Sequence, residues 1–375
     1  MIINRFFSQI EPLLQANKVL VIYGPRRVGK TTLLNEFLRT TKLKYRLDSG
    51  ENIRIQEILG SNDFKKIGEY VADNELIAID EAQQIENIGM GLKIIVDQFP
   101  GIKVIATGSS SFDLANQIGE PLVGRKRTIN LYPFAQLELA ESQSVFDLKQ
   151  KLEDFLLYGS YPDVYLAKTK NERITALNEI VDSYLLKDVL ALEGVKKPRV
   201  LVDLVKMLAL QIGNEVSLAE LSRELSVDLR TVEKYLDILE KGFVIISAGA
   251  LKRNLRNEIR GKKKYYFYDN GIRNALLSQF NELNLRNDVG GLWENFVFVE
   301  RLKTRVYKNI HANYYFWRTY EQKEIDLIEE YDGVLHGYEF KWSGGAAKPK
   351  VFLENYPQSV FEVINRDNYI DFLTK

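Results

Sequence analysis

Three short stretches in the first third of the chain, "KVLVIYG", "LIAID" and "IKVIATG", are apolar runs with charge only at their ends. Runs of this length, rich in Val and Ile, fit strands that are covered on both faces. The segments between them repeat apolar residues every three or four positions, which predicts helices on both sides of a parallel sheet. From about residue 145 to 215 the pattern turns helical, in "LKQKLEDFLLYG", "ITALNEIVDSYLLKDVLALEG" and "RVLVDLVKMLALQIG". A short module follows, and the chain then returns to mixed α/β patterning. The division this predicts is 1–140, 141–215, 216–275 and 276–375, with no internal repeat and no long flexible linker.

Composition narrows the picture only in places. The 375 residues are 45% hydrophobic and 27% charged, an ordinary globular balance with room for two or three domains. Lys+Arg and Asp+Glu stand at 51 each, so any attraction to nucleic acid must be local. There is no cysteine, which excludes disulfides, thiolate metal sites and a cysteine nucleophile. His311 and His336 are too few and too far apart for a histidine-built metal site. The chain shows no secretory leader pattern and no run of about 18 apolar residues. A soluble, cytoplasmic protein without a membrane partner is the expectation.

The first candidate chemistry is "GPRRVGKTTLL". Gly24, Gly29, Lys30 and Thr31 fit G-x-x-x-x-G-K-[ST], and the motif lies between a buried strand and a helix. In that order the backbone N–H groups of Gly24, Pro25-Arg26-Arg27-Val28, Gly29, Lys30, Thr31 and Thr32, proline excepted, can surround a phosphate at the helix N-terminus. Lys30 would neutralise phosphate charge, and the Thr31 hydroxyl would hold Mg²⁺. "LIAIDEAQ" ends a strand in two carboxylates. Asp80 is placed to reach the Mg²⁺ shell and Glu81 to align an attacking water, which makes ATP hydrolysis the expected reaction. Ser109 at the end of "KVIATGSSS" is a candidate γ-phosphate sensor. Arg125 is a candidate charge-stabilising arginine, acting in its own chain or on a neighbouring subunit of a homo-oligomer.

Together with "VIATGSSS", "GRKRTINLYPFAQLEL" and "YGSYPDVY", these motifs resemble the prokaryotic AAA-type ATPases that carry a C-terminal domain of unknown function. The resemblance covers nearly the whole chain. It implies an AAA-like P-loop core over 1–140 and a helical lid over 141–215, with nucleotide between them.

"VSLAELSRELSVDLRTVEKYLDILEKGFVI" reads as helix, turn, helix, strand, with Ser217 and Glu220 as a capping box and Asp228 as the next cap. Leu229, Val232, Leu236 and Leu239 share one face of the second helix, leaving Arg230, Thr231 and Lys234 on the other. Two strands around a basic loop would complete a winged helix over 216–275. Lys252, Arg253, Arg256, Arg260, Lys262, Lys263 and Lys264 there face one acid, Glu258, a local charge suited to DNA phosphates.

The last stretch carries Glu294 on an amphipathic helix, Asp326 in an apolar strand, and Glu339 and Lys341 thirteen and fifteen residues on. Alternation puts Glu339 and Lys341 on one strand face. Two carboxylates and a lysine on one sheet edge can hold Mg²⁺ or Mn²⁺ on a phosphodiester, with Asp326 and Glu339 as ligands. The pattern resembles the PD-(D/E)XK nucleases, except that Ile325 stands where their motif has proline. Three readings stay open: an ATP-gated DNA-processing or defence factor, an ATP-dependent DNA- or protein-binding switch whose terminal domain does not turn over, and a signalling protein whose ATPase core drives self-association while the other domains dock a protein.

Overall fold

The computed structural model describes residues 3–109, 121–183, 195–251, 262–319 and 323–375. Two compact units divide the chain: Ile2–Pro133 with Lys241–Phe243, and Phe134–Glu240 with Val244–Lys375.

The N-terminal unit is built on a parallel sheet of five strands, β1 (Val19–Gly24), β2 (Tyr45–Ser49), β3 (Leu76–Asp80), β4 (Lys103–Ser109) and β5 (Lys126–Asn130), in the order β2-β3-β4-β1-β5. All six residues of β1 are buried, as an unbroken apolar run requires when both sheet faces are covered. Val19, Val21, Ile77, Ile79, Val104 and Ala106 alternate onto one face. There they join one core with apolar residues of α2 (Ile53–Leu59), α3 (Phe64–Val71) and α4 (Ile88–Gln98). Helix α1 (Lys30–Thr40) buries Leu33, Leu34, Phe37 and Leu38, the i, i+1, i+4, i+5 stripe of an amphipathic helix.

The helix starts differ in a way that bears on function. Asn52 caps α2 by accepting from the Arg54 N–H, and Asp63 caps α3 by accepting from Lys65 and Lys66. Helix α1 starts from Gly29, at φ 93°, with no side-chain cap. Its first N–H groups therefore have no side-chain acceptor and face the loop Pro25–Gly29.

The second unit holds a mixed sheet of seven strands: β6 (Glu215–Val216), β7 (Ile245–Ala250), β8 (Lys263–Phe267), β9 (Asn313–Arg318), β10 (Glu324–Tyr331), β11 (Val334–Phe340) and β12 (Val360–Ile364). Its order is β12-β11-β10-β9-β7-β8-β6. The expected boundary at 275/276 lies inside this sheet, because β7 pairs in parallel with β9 through Gly249–Tyr315 and Ala250–Phe316. The helix Val289–Tyr307 packs along β8 and β11 and is buried on nearly every side. One of its buried charges is satisfied by a two-pronged pair: the Arg301 guanidinium donates to both carboxylate oxygens of Glu329, at 3.0 and 2.9 Å.

Helices Leu218–Glu224 and Leu229–Lys241 follow one another in the chain. Ser217 accepts from the Glu220 N–H, and Asp228 from the Thr231 N–H and hydroxyl. Val232, Tyr235, Leu236, Ile238 and Leu239 make the buried face. Leu229 is 43% exposed and does not belong to it, because it stands at the first, solvent-facing position of the helix.

Candidate functional site

The carboxyl ends of β1, β3 and β4 meet at one edge of the parallel sheet, where open α/β sheets present their ligand crevice. The loop that leaves β1 passes so close to the chain after β5 that a Cβ on Gly24 would lie 2.0 Å from the Leu131 carbonyl oxygen. Only glycine fits there. The turn back into α1 needs the left-handed φ that Gly29 supplies.

Within this frame Thr31 and Asp80, 49 positions apart, come together: the Thr31 hydroxyl donates to Asp80 Oδ2 at 2.8 Å. Asp80 Oδ1 accepts the Thr107 hydroxyl, so the carboxylate is held from helix α1 and strand β4. The next residue, Glu81, sits at φ 50°, ψ 44°, a left-handed conformation unusual for a glutamate. Its N–H donates to Thr107 Oγ1 at 3.2 Å, and its carboxylate accepts the Gln83 amide. That amide also donates to Ser109 Oγ at 3.1 Å. A Cβ on Gly50 would lie 2.3 Å from the Glu81 carbonyl oxygen, so the β2 end walls in this turn.

Lys30 is 4% exposed, with its ammonium donating to the Gly24 and Pro25 carbonyls at 2.9 Å each. Burial pulls its pKa down to about 8, against the pull of Glu81 and Asp80, while Arg26 adds to the lowering. Because the folded value lies below the ordinary 10.5, burying Lys30 costs stability below about pH 8, and that cost fades as pH rises toward 10.5. Binding a phosphate works the other way, since an anion holds the proton on. Nucleotide affinity, measured by calorimetry, is therefore expected to fall from about pH 8 to 10, by up to about tenfold per unit, with proton uptake on binding. A flat profile would contradict it.

Of the other expected residues, Ser109 lies beside Gly24 in register and is buried. Thr32 is exposed on the first turn of α1, Val28 is buried and Arg27 takes a positive φ. Arg125 requires correction as a residue acting on its own chain's phosphate. Its carbonyl accepts from the Val19 N–H at the opposite end of β1, a strand length of about 17 Å from Gly24, and its guanidinium pairs with Asp97 at 2.6 Å.

Arg5, Gln83, Thr107 and Gly50 were not legible as site residues. Arg5 is buried and clamps the loop, donating to the Val28 and Tyr132 carbonyls at 2.6 Å each. A lone arginine far upstream carries no motif that could have revealed this.

Residues 16–140 match the model of an AAA domain. Residues 149–283 and 289–364 match two domains of unknown function, DUF8612 and DUF4143. An uncharacterized protein of Mycobacterium tuberculosis is 28% identical over 344 residues, covering 89% of this chain and 72% of that protein. One of Haemophilus influenzae is 27% identical over 356 residues, covering 89% and 85%, and one of Methanocaldococcus jannaschii is 24% identical over 343 residues, covering 85% and 74%. A structure titled for DNA unwinding at forked double-stranded DNA by Pif1 helicases aligns at a TM-score of 0.26 and 16% identity, covering 48% of this chain and 52% of that one. The AAA-domain match falls on the strands and loop just described. Nucleotide binding is what such a domain implies.

In the second unit the structure gathers the other expected residues. Asp326 Oδ2 accepts the Phe340 N–H at 2.8 Å, and Lys341 pairs with Glu339 Oε1 at 2.6 Å. Strand β10 bulges against β9 between Ile325 and Ile328, at the level of Asp326. Burial raises the pKa of Asp326 and of Glu339, and lifts Glu294 to about 7 with help from the Asp326 charge. Lys264 requires correction as part of a solvated basic wing. Its side chain is 1% exposed and pairs with Glu294 at 2.8 Å, with Glu324, and with Asp326 at 3.8 Å. Alternation along β8 is the signal that could have found it, since Lys264 and Tyr266 share one face and both donate to Glu294. Lys262 and Lys263 are exposed, while Lys252, Arg253, Arg256, Glu258 and Arg260 lie outside the described residues. Among the described residues no group of three or more His, Asp or Glu side chains is arranged to hold a metal ion, and no helix is long and apolar enough to cross a membrane.

Proposed function

We propose that the protein binds and hydrolyses ATP at the loop Gly24–Thr32, and that it works on or beside DNA. The observation that carries the first part is the Thr31–Asp80 contact at 2.8 Å, at the foot of a helix whose start has no side-chain cap. A hydroxyl and a carboxylate are hard oxygen donors that fit Mg²⁺, with Thr31 as ligand and Asp80 behind it. Bound there, the ion would offset phosphate charge. The uncapped N–H groups of α1 bind the phosphate oxygens, and Lys30 turns its ammonium from the loop carbonyls to the phosphate. Glu81, fixed by Thr107 and Gln83, orients water and takes its proton. Ser109 shares the Gln83 amide with Glu81, which suits it to report the γ-phosphate. Arg125 retains a role only toward a second copy of the chain. Phosphate release by purified protein with Mg²⁺ and ATP, abolished in a folded Lys30→Ala variant, is the direct test.

The DNA reading is supported by the consecutive helices Leu218–Glu224 and Leu229–Lys241 and by exposed Arg230, Lys234, Lys262 and Lys263, a set that would suit a winged helix. Affinity for duplex DNA should fall steeply with salt. Reversing Lys262 and Lys263 to Glu should reduce the log–log salt slope by about one per lysine removed from phosphate contact. An unchanged slope removes these residues from the interface. For the C-terminal region the reading is a nuclease-like arrangement of Glu294, Asp326, Glu339 and Lys341.

A further inference from the structure

Sheet strand β8 is paired on both sides, to β7 through Lys264–Ala248 and to β6 through Lys264–Glu215. The backbone under Lys264 is therefore fixed, and its side chain runs inward, with the ammonium 5.6 Å from the Phe316 ring centroid. It ends among carboxylates from two elements, Glu294 of the helix Val289–Tyr307 and Glu324 and Asp326 of β10. Several of the oxygens a metal would use are already engaged, although Glu339 Oε2 is buried without a hydrogen-bond partner. Glu294 Oε1 accepts from both Lys264 and the Tyr266 hydroxyl, at 2.8 Å each, and Asp326 Oδ2 accepts the Phe340 N–H. Lys341 takes Glu339 in the same way. Each of the two expected metal ligands, Asp326 and Glu339, is thus paired with a lysine of its own chain.

We propose that the Lys264 ammonium is the resident cation of this cluster, standing where a divalent ion would otherwise be held, so that the C-terminal domain takes up no metal and cleaves no phosphodiester. A divalent ion drawn in beside it would meet like charge at short range in a poorly hydrated site. Removing the ammonium instead leaves several carboxylates facing one another, and these attract a hard cation. This inference stands on the cluster alone and is independent of the ATPase reading.

The test uses the full chain without nucleotide, with Mn²⁺ uptake followed by electron paramagnetic resonance in the wild type, Lys264→Met and Lys264→Met/Asp326→Asn. The expected result is no Mn²⁺ at the cluster in the wild type. In Lys264→Met one ion binds about a hundredfold more tightly, and the added Asp326→Asn change removes it. Mn²⁺ binding to the wild type that Asp326→Asn abolishes overturns the proposal, as does a folded Lys264→Met that takes up none. Metal-dependent strand scission by the wild type, lost in Glu339→Ala, overturns it too. Should Lys264→Met not fold, the wild-type melting temperature decides. No change with millimolar Mn²⁺ supports the proposal, and a rise that Asp326→Asn removes overturns it.

Discussion

Glu81→Gln is expected to bind ATP within a few-fold of the wild type and to hydrolyse it about a hundred to ten thousand times more slowly. Glutamine keeps the size of the side chain and an oxygen for the Gln83 amide, so the turn that Glu81 makes at φ 50° is preserved. What it removes is the ability to accept a proton from water. The Thr31–Asp80 contact and the uncapped start of α1 are untouched, so binding is left in place. Phosphate release at saturating ATP, paired with equilibrium binding, measures both halves. Undiminished turnover would place the base elsewhere.

Gly24→Ala is expected to cost about 3 kcal/mol or more in stability and to abolish nucleotide binding. The new Cβ would lie 2.0 Å from a backbone oxygen, that of Leu131, which no side-chain rotation can clear. Either the β1 end or the chain after β5 must move. The Leu131 N–H donates to the Tyr23 carbonyl at 2.7 Å, so movement on either side loosens the end of the strand from which the loop departs. Denaturant unfolding and nucleotide binding check the two effects. A variant that melts and binds like the wild type would show that the approach is not as close as described.

How much of this was legible beforehand follows from where the information resides. The buried strands and the loop could be read because each is a local pattern: "VLVIYG" is apolar throughout, and Gly24, Gly29, Lys30 and Thr31 hold a spacing set by the loop itself. Asp80 and Glu81 could be read because they end such a strand. Arg5, Thr107, Gln83 and Gly50 could not, since each acts across strand ends that only folding brings together. Arg125 misleads for the same reason: its place in the sequence does not reveal that it stands just before β5 and so lies at the far end of the sheet. Lys264 misled differently. A run of lysines reads as one solvated patch, but a strand sends alternate side chains to opposite faces, and the inward face here meets carboxylates.

The most direct test of the account is ATP turnover by the purified chain with Mg²⁺, compared with Lys30→Ala and Asp80→Asn proteins shown to be folded. The account predicts phosphate release by the wild type, its loss in both variants, and retained though weaker nucleotide binding in Asp80→Asn. Equal release by all three, or a wild type that binds no nucleotide, would contradict it.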